Sequence, residues 1–111
     1  MTITAELLSG STDGEPISVV GTTSGAADTI HTAHASAKDE IWIWAANEHT
    51  ADVVLTIEFG NATEPVIVTV PSKDGAHLVI PGARLTNSKV VKAFADVTAV
   101  VSLFGNVNRH A

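Results

Sequence analysis

The run Glu40-Ile41-Trp42-Ile43-Trp44-Ala45, followed after a short polar break by Val53-Val54-Leu55-Thr56-Ile57-Glu58-Phe59, decides how this chain folds. Successive side chains of an extended strand point to opposite faces. In the first run both Ile residues therefore share one face and both Trp residues the other, as in a strand covered on both sides. In the second run Val53, Leu55, Ile57 and Phe59 alternate with Asp52, Val54, Thr56 and Glu58, which gives one buried and one mainly polar face. That alternation belongs to half-exposed antiparallel sheet. The intervening Asn47-Glu48-His49-Thr50 has turn chemistry.

Working outward, Val66 to Val70 predicts a further strand, and Lys73-Asp74-Gly75 a tight turn into His77-Leu78-Val79-Ile80, which Pro81-Gly82 ends. Val90 to Ala95 and Ala99 to Val107 follow as strands joined at Asp96-Val97-Thr98. Upstream, Asp28 to Asp39 has helical spacing at Ile30, Ala33, His34 and Ala37, but Thr29-Ile30-His31-Thr32 is β-prone. The reading favours a strand entering a turn. Ile17 to Val20 is expected as the first strand of the body. Residues 1–16, with Ser9-Gly10-Ser11-Thr12-Asp13-Gly14-Glu15-Pro16 after Leu7-Leu8, read as a flexible arm joined to a single body over 17–111. The expectation is an all-β domain, a compact β-sandwich or small jelly roll of about seven to eight antiparallel strands. Lys89, Lys92, Pro65, Pro71 and Pro81 are candidate edge guards.

With 111 residues there is room for one core. The chain is 45% hydrophobic and 16% charged, with mean hydropathy +0.27, too apolar for a disordered segment. Its net charge of -6 opposes binding to phosphate backbones, so nucleic acid is not an expected partner. There are no cysteines, and stability must come from packing. The start Met1-Thr2-Ile3-Thr4-Ala5-Glu6 lacks the basic end and apolar run of a secretion signal. No stretch reaches the about 18 apolar residues of a membrane span, so a protein without a membrane partner is expected, kept in the cytosol or assembled there into something larger.

Reactive constellations are few. His31 and His34 would share a face of a helix, but His49, His77 and His110 lie on other elements without metal-ligand spacing, so exposed polar histidines are expected and no metal or cofactor. No nucleophile-elbow sequence is present, and the serines fall mainly in loops. Asp39 and Glu40 are adjacent, so in a strand they point to opposite faces and cannot share a proton across a cleft; they read as solvated turn residues. Neither glycine pair, Gly10 with Gly14 or Gly21 with Gly25, has the Lys-Ser/Thr ending of a phosphate loop. No catalytic residue is assigned, and a non-enzymatic role is expected. Trp42 and Trp44 form a sugar-stacking platform if their face is exposed, and core or subunit packing if it is not.

The segments Glu40-Ile41-Trp42-Ile43-Trp44-Ala45-Ala46-Asn47, Leu55-Thr56-Ile57-Glu58-Phe59-Gly60, Val79-Ile80-Pro81-Gly82 and Gly105-Asn106-Val107-Asn108-Arg109 together resemble small virion proteins of tailed bacteriophages, over about residues 28–110. The resemblance implies a capsid decoration or cement protein on the outside of the head, assembled in the host cytoplasm, binding the major capsid protein and commonly trimeric. On that implication Ile3, Leu7 and Leu8 belong to a capsid-binding arm. Trp42, Trp44, Phe59 and Phe104 belong to the core or the subunit interface, with Val100 beside Trp42, Trp44 and Phe104 on a core-facing side. Other virion roles, in a head fibre base, tail or head-completion component, and a carbohydrate-binding module are the alternatives.

Overall fold

The computed structural model describes residues 2–111 and contains nine strands. They are β1 (Ile3–Glu6), β2 (Ile17–Ser18), β3 (Asp28–Thr32), β4 (Lys38–Asn47), β5 (Val53–Phe59), β6 (Val66–Val70), β7 (Ala76–Leu85), β8 (Val90–Ala95) and β9 (Val101–His110). A five-stranded antiparallel sheet has the order β1-β9-β4-β7 with β2 also on β9, and a four-stranded sheet has the order β3-β8-β5-β6. The two sheets close on one core, so the expected all-β sandwich is what forms. The β4, β5, β6 and β8 patterns place strands where alternation predicts them.

The core is wholly aliphatic, Leu, Ile and Val interspersed with Ala. Ile41 and Ile43 of β4, Leu103 and Val107 of β9, Leu55 and Ile57 of β5, and Val91 of β8 are all 0% exposed. These are the inward positions of strands whose outward neighbours are mostly polar or aromatic, Val54 and Val90 excepted. Phe59 packs partly buried at the margin of this core, as does Val100.

Three sequence expectations are corrected. Pro81-Gly82 does not end β7, which runs on to Leu85 through a bulge: Ile41 pairs with Ala83 and Trp42 with Pro81, leaving Gly82 as the extra residue. Its φ of +80° is one glycine adopts without strain. Lys92 guards no edge, because β8 lies between β3 and β5.

The third concerns residues 1–16. Ile3–Glu6 pairs with Val107–His110, and Thr2 and Ala111 exchange backbone hydrogen bonds of 2.9 and 2.8 Å. Leu8 enters the core at 1% exposure. Ser9 and Gly10 then cross to the other sheet, where Gly10 N–H donates to the Ile30 carbonyl (2.9 Å) and Ser9 Oγ accepts from Thr32 N–H (2.7 Å). The described part of the segment is a strap across the open side of the sandwich. Its Gly and Ser residues read as linker because their backbone bonding is invisible in composition. A Cβ on Gly10 would lie 2.3 Å from the Thr29 carbonyl oxygen, so glycine permits the approach.

Candidate functional site

Two places hold more side-chain organisation than a core requires. The first is the outer face of the five-stranded sheet. With Ile41, Ile43 and Ala45 turned inward, Trp42 and Trp44 point outward, where no second layer among the described residues covers them; both are half-buried. This corrects the expectation that the Trp42, Trp44 and Phe104 face lies against the core. β4 sits between β9 and β7, so Trp44 has Phe104 on one side and Leu78 on the other, and Trp42 has Asn106 and Pro81. The Trp42 and Trp44 rings lie 6.5 Å apart at 22°, and the Trp44 and Phe104 rings 6.4 Å apart at 15°. At these separations near-parallel rings are strongly offset, leaving part of each face uncovered by its neighbour.

Gly82 sets the row's orientation. A Cβ there would fall 2.6, 2.9 and 3.1 Å from Cζ2, Cε2 and Cη2 of Trp42. Nearly equal distances to three contiguous ring atoms put that point over the ring face rather than off its edge. The indole therefore lies flat against the bulge, in space that any larger residue would fill.

The aromatic row has a polar border. Glu40 Oε2 accepts from Trp42 Nε1–H (2.8 Å) and Asn108 Nδ2–H (3.1 Å), while Oε1 lies 3.2 Å from His110 Nε2 and 4.0 Å from Arg84 Nη2. The bond from Trp42, then that from Asn108, holds the Glu40 carboxyl below its ordinary range. Trp42 thus spends its one polar hydrogen within the chain and presents carbon to the outside.

The second place is a buried clamp where the strap meets β3 and β4. His31 Nδ1 accepts from Ser9 N–H (3.0 Å), which leaves the hydrogen on Nε2 to donate to Asp39 Oδ2 (2.8 Å). Asp39 also accepts from Arg109 Nε at Oδ1 (2.8 Å), from Arg109 Nη2 at Oδ2 (3.2 Å) and from His34 N–H (3.2 Å), and Arg109 Nη1 lies 3.6 Å from Glu6. Burial alone would raise the Asp39 carboxyl; the bonds from Arg109, His31 and His34 N–H, with the Arg109 charge, outweigh it and hold the group at about 2. Two expectations fail here. His31 is 1% exposed instead of exposed, and Asp39 is a fully buried strand residue instead of a solvated turn residue. Asp39 and Glu40 do point to opposite faces, each into a different network.

A His–Asp pair invites comparison with hydrolase machinery, but Ser9 meets His31 through its backbone N–H while its hydroxyl is engaged by Thr32. The pair fixes the strap to the sandwich.

Among the residues singled out from sequence, Trp42, Trp44 and Phe104 come together on one face. Phe59 lies apart on β5. Ile3 and Leu7 are exposed at 59% and 56%, and Leu8 is a core residue. Gly82, Glu40, Asp39, Arg109 and Ser9 were missed as organising residues. Only Gly82 carried a local signal, a glycine inside a strand pattern, which marks a bulge. A shallow hollow lined by Glu58, Asn61, Lys89 and Lys92 on the other sheet gathers both charge signs. Compared with protein-family models, curated proteins and solved structures, the chain matches none.

Proposed function

We propose that this chain is a non-enzymatic virion protein of the capsid decoration, or cement, type, which binds the outer surface of a phage head through the major capsid protein and stabilises the lattice. It works at the capsid exterior after assembly in the host cytoplasm, as a homo-oligomer. The observation that carries the reading is the aromatic face itself. Trp42, Trp44 and Phe104 form an ordered apolar row at the centre of a sheet, bordered by Glu40, Asn108, His110 and Arg84. Aromatic centres with polar borders are the composition of protein–protein contacts, and large rigid rings lose little entropy on docking. Ile3 pairs with His110, so it lies on the same face and extends the contact from β1; Leu8 takes no part, being committed to the core.

A ligand that binds only the assembled lattice adds its binding free energy to that state, so many modest contacts sum to a large stabilisation. Shells carrying the protein should withstand more heat and osmotic stress than bare shells. Trp44→Ala should lower this protection with the fold intact, because truncating a central interface tryptophan costs about 2 kcal/mol or more of binding. Equal rupture points for bare and decorated shells would sink the proposal.

The offset, near-parallel indoles also favour a second reading, a carbohydrate-binding module using Trp42 and Trp44 as a stacking platform. That reading expects tryptophan fluorescence to respond saturably to soluble glycans; the cement reading expects no response to glycans and a response to shells.

A further inference from the structure

The four sheet edges are not equally protected. β7 is broken by its Gly82 bulge and carries Pro81, β3 has a register shift and is bonded by the strap, and β1 is four residues long. β6 is different. Among the described residues, Val66-Ile67-Val68-Thr69-Val70 pairs only with β5; it carries no charge, and all five of its residues are β-branched. Ile67 is 65% exposed, the most exposed large apolar side chain among the described residues, and Val66 is 37% exposed. Open, uncharged edges of this kind template pairing with another strand, and proteins ordinarily block them.

The sequence around β6 indicates which strand. Pro65-Val66-Ile67-Val68-Thr69-Val70-Pro71 is close to symmetric about Val68. In an antiparallel pair of two copies centred there, Val66 faces Val70, Ile67 faces Thr69, Val68 faces its equivalent, and the prolines end the ladder at both sides. Faces match as well as sizes. Val68 pairs with Leu55 of the core and so points inward, whereas Ile67 pairs with Thr56 and points outward. The two-fold therefore continues the inner face with valines and the outer face with two Ile–Thr pairs. In the same register Glu64 of one copy faces Ser72 of the other, with exposed Lys73 and Asp74 just beyond it, so the flanks of the pair are polar and carry both charge signs.

We infer that β6 is a self-association edge, through which two copies of this chain join their four-stranded sheets into one of eight strands. The contact lies on the sheet opposite the aromatic face, so it is independent of the proposed shell contact and leaves that face open. It closes a two-fold dimer, where the resemblance implies a trimer. A five-residue ladder is a small interface, and the expected dissociation constant is in the range of about 10 μM to 1 mM.

The test is sedimentation equilibrium of the full chain from about 10 μM upward through that range. The wild type should pass from monomer to dimer. Ile67→Lys combined with Thr69→Lys sets like charges directly opposite each other twice and should weaken the dimer by at least about 10-fold. Ile67→Lys combined with Thr69→Glu sets opposite charges there and should restore it. Both side chains point to solvent, so circular dichroism should report an unchanged fold. A wild type that stays monomeric to the top of the range would overturn the inference, and so would a dimer or larger oligomer that the lysine pair leaves intact.

Discussion

Replacing Gly82 by Ala tests whether Trp42 lies flat on the β7 bulge, the feature on which the shape of the aromatic face depends. Two costs are involved. A φ of +80° is unfavourable for any residue with a Cβ, by about 1–2 kcal/mol, partly offset by about 0.4–1 kcal/mol from the reduced entropy of the unfolded chain. The new methyl would also stand 2.6 Å from Trp42 Cζ2, so the indole must lift or the bulge distort, which as overpacking costs about 1–3 kcal/mol. Together these come to about 1–5 kcal/mol, or roughly 4–20 °C in midpoint for a chain of this size. Gly75→Ala is the internal control: its φ is +74° but nothing lies within 4 Å of the added methyl, so it carries the backbone cost alone. Urea unfolding of both variants, each also in a Trp42→Ala background, separates the two costs. The account expects Gly82→Ala to cost more than Gly75→Ala, and the excess to vanish when Trp42 is absent. Equal costs at the two glycines, or an excess that survives removal of the indole, would refute the flat packing.

The remaining predictions concern the strap and the clamp. Leu8→Ala should destabilise by about 2–5 kcal/mol as a core truncation, and Leu7→Ala by no more than about 0.5 kcal/mol, measured by urea unfolding; comparable values would mean that the strap does not seat Leu8 in the core. Asp39 has a lowered carboxyl, so the folded state holds its proton less tightly than the unfolded chain. Its contribution is complete above the ordinary carboxylate value of 3.8, is lost as pH falls through about 2, and amounts to about 2 kcal/mol. Asp39→Asn should therefore lose that amount at neutral pH and show a flatter decline between about pH 4 and pH 2 in acid unfolding curves; an unchanged decline would remove Asp39 as its source.

How much was legible in the sequence follows from how local each determinant is. Period-2 alternation places β4 and β5 because the code for a pleated strand lies within a few residues, and Val66–Val70 and Val90–Ala95 are bounded by turn residues their neighbours supply. Alternation also separates the Trp face from the Ile face. It does not say which one meets the second sheet: both are apolar, and the larger tryptophans suggested the core when the smaller isoleucines fill it. The strap was illegible for a different reason, since Ser9 and Gly10 act through two backbone N–H groups and one hydroxyl whose partners lie about twenty residues away at Ile30, His31 and Thr32. The clamp likewise joins Asp39 to Arg109 across seventy positions, and no local pattern records that meeting. The bulge is an intermediate case. Pro81-Gly82 signalled a break in pairing, and the structure accommodates it within a strand that continues.

The most direct test of the central claim is co-sedimentation of the purified protein with expanded empty phage heads, counting bound copies against the major capsid subunit. The account predicts saturable binding at a fixed whole-number ratio to the capsid lattice, lost in a Trp42→Ala, Trp44→Ala double variant that still folds. No binding, a handful of copies per head, or full binding by the double variant would contradict it.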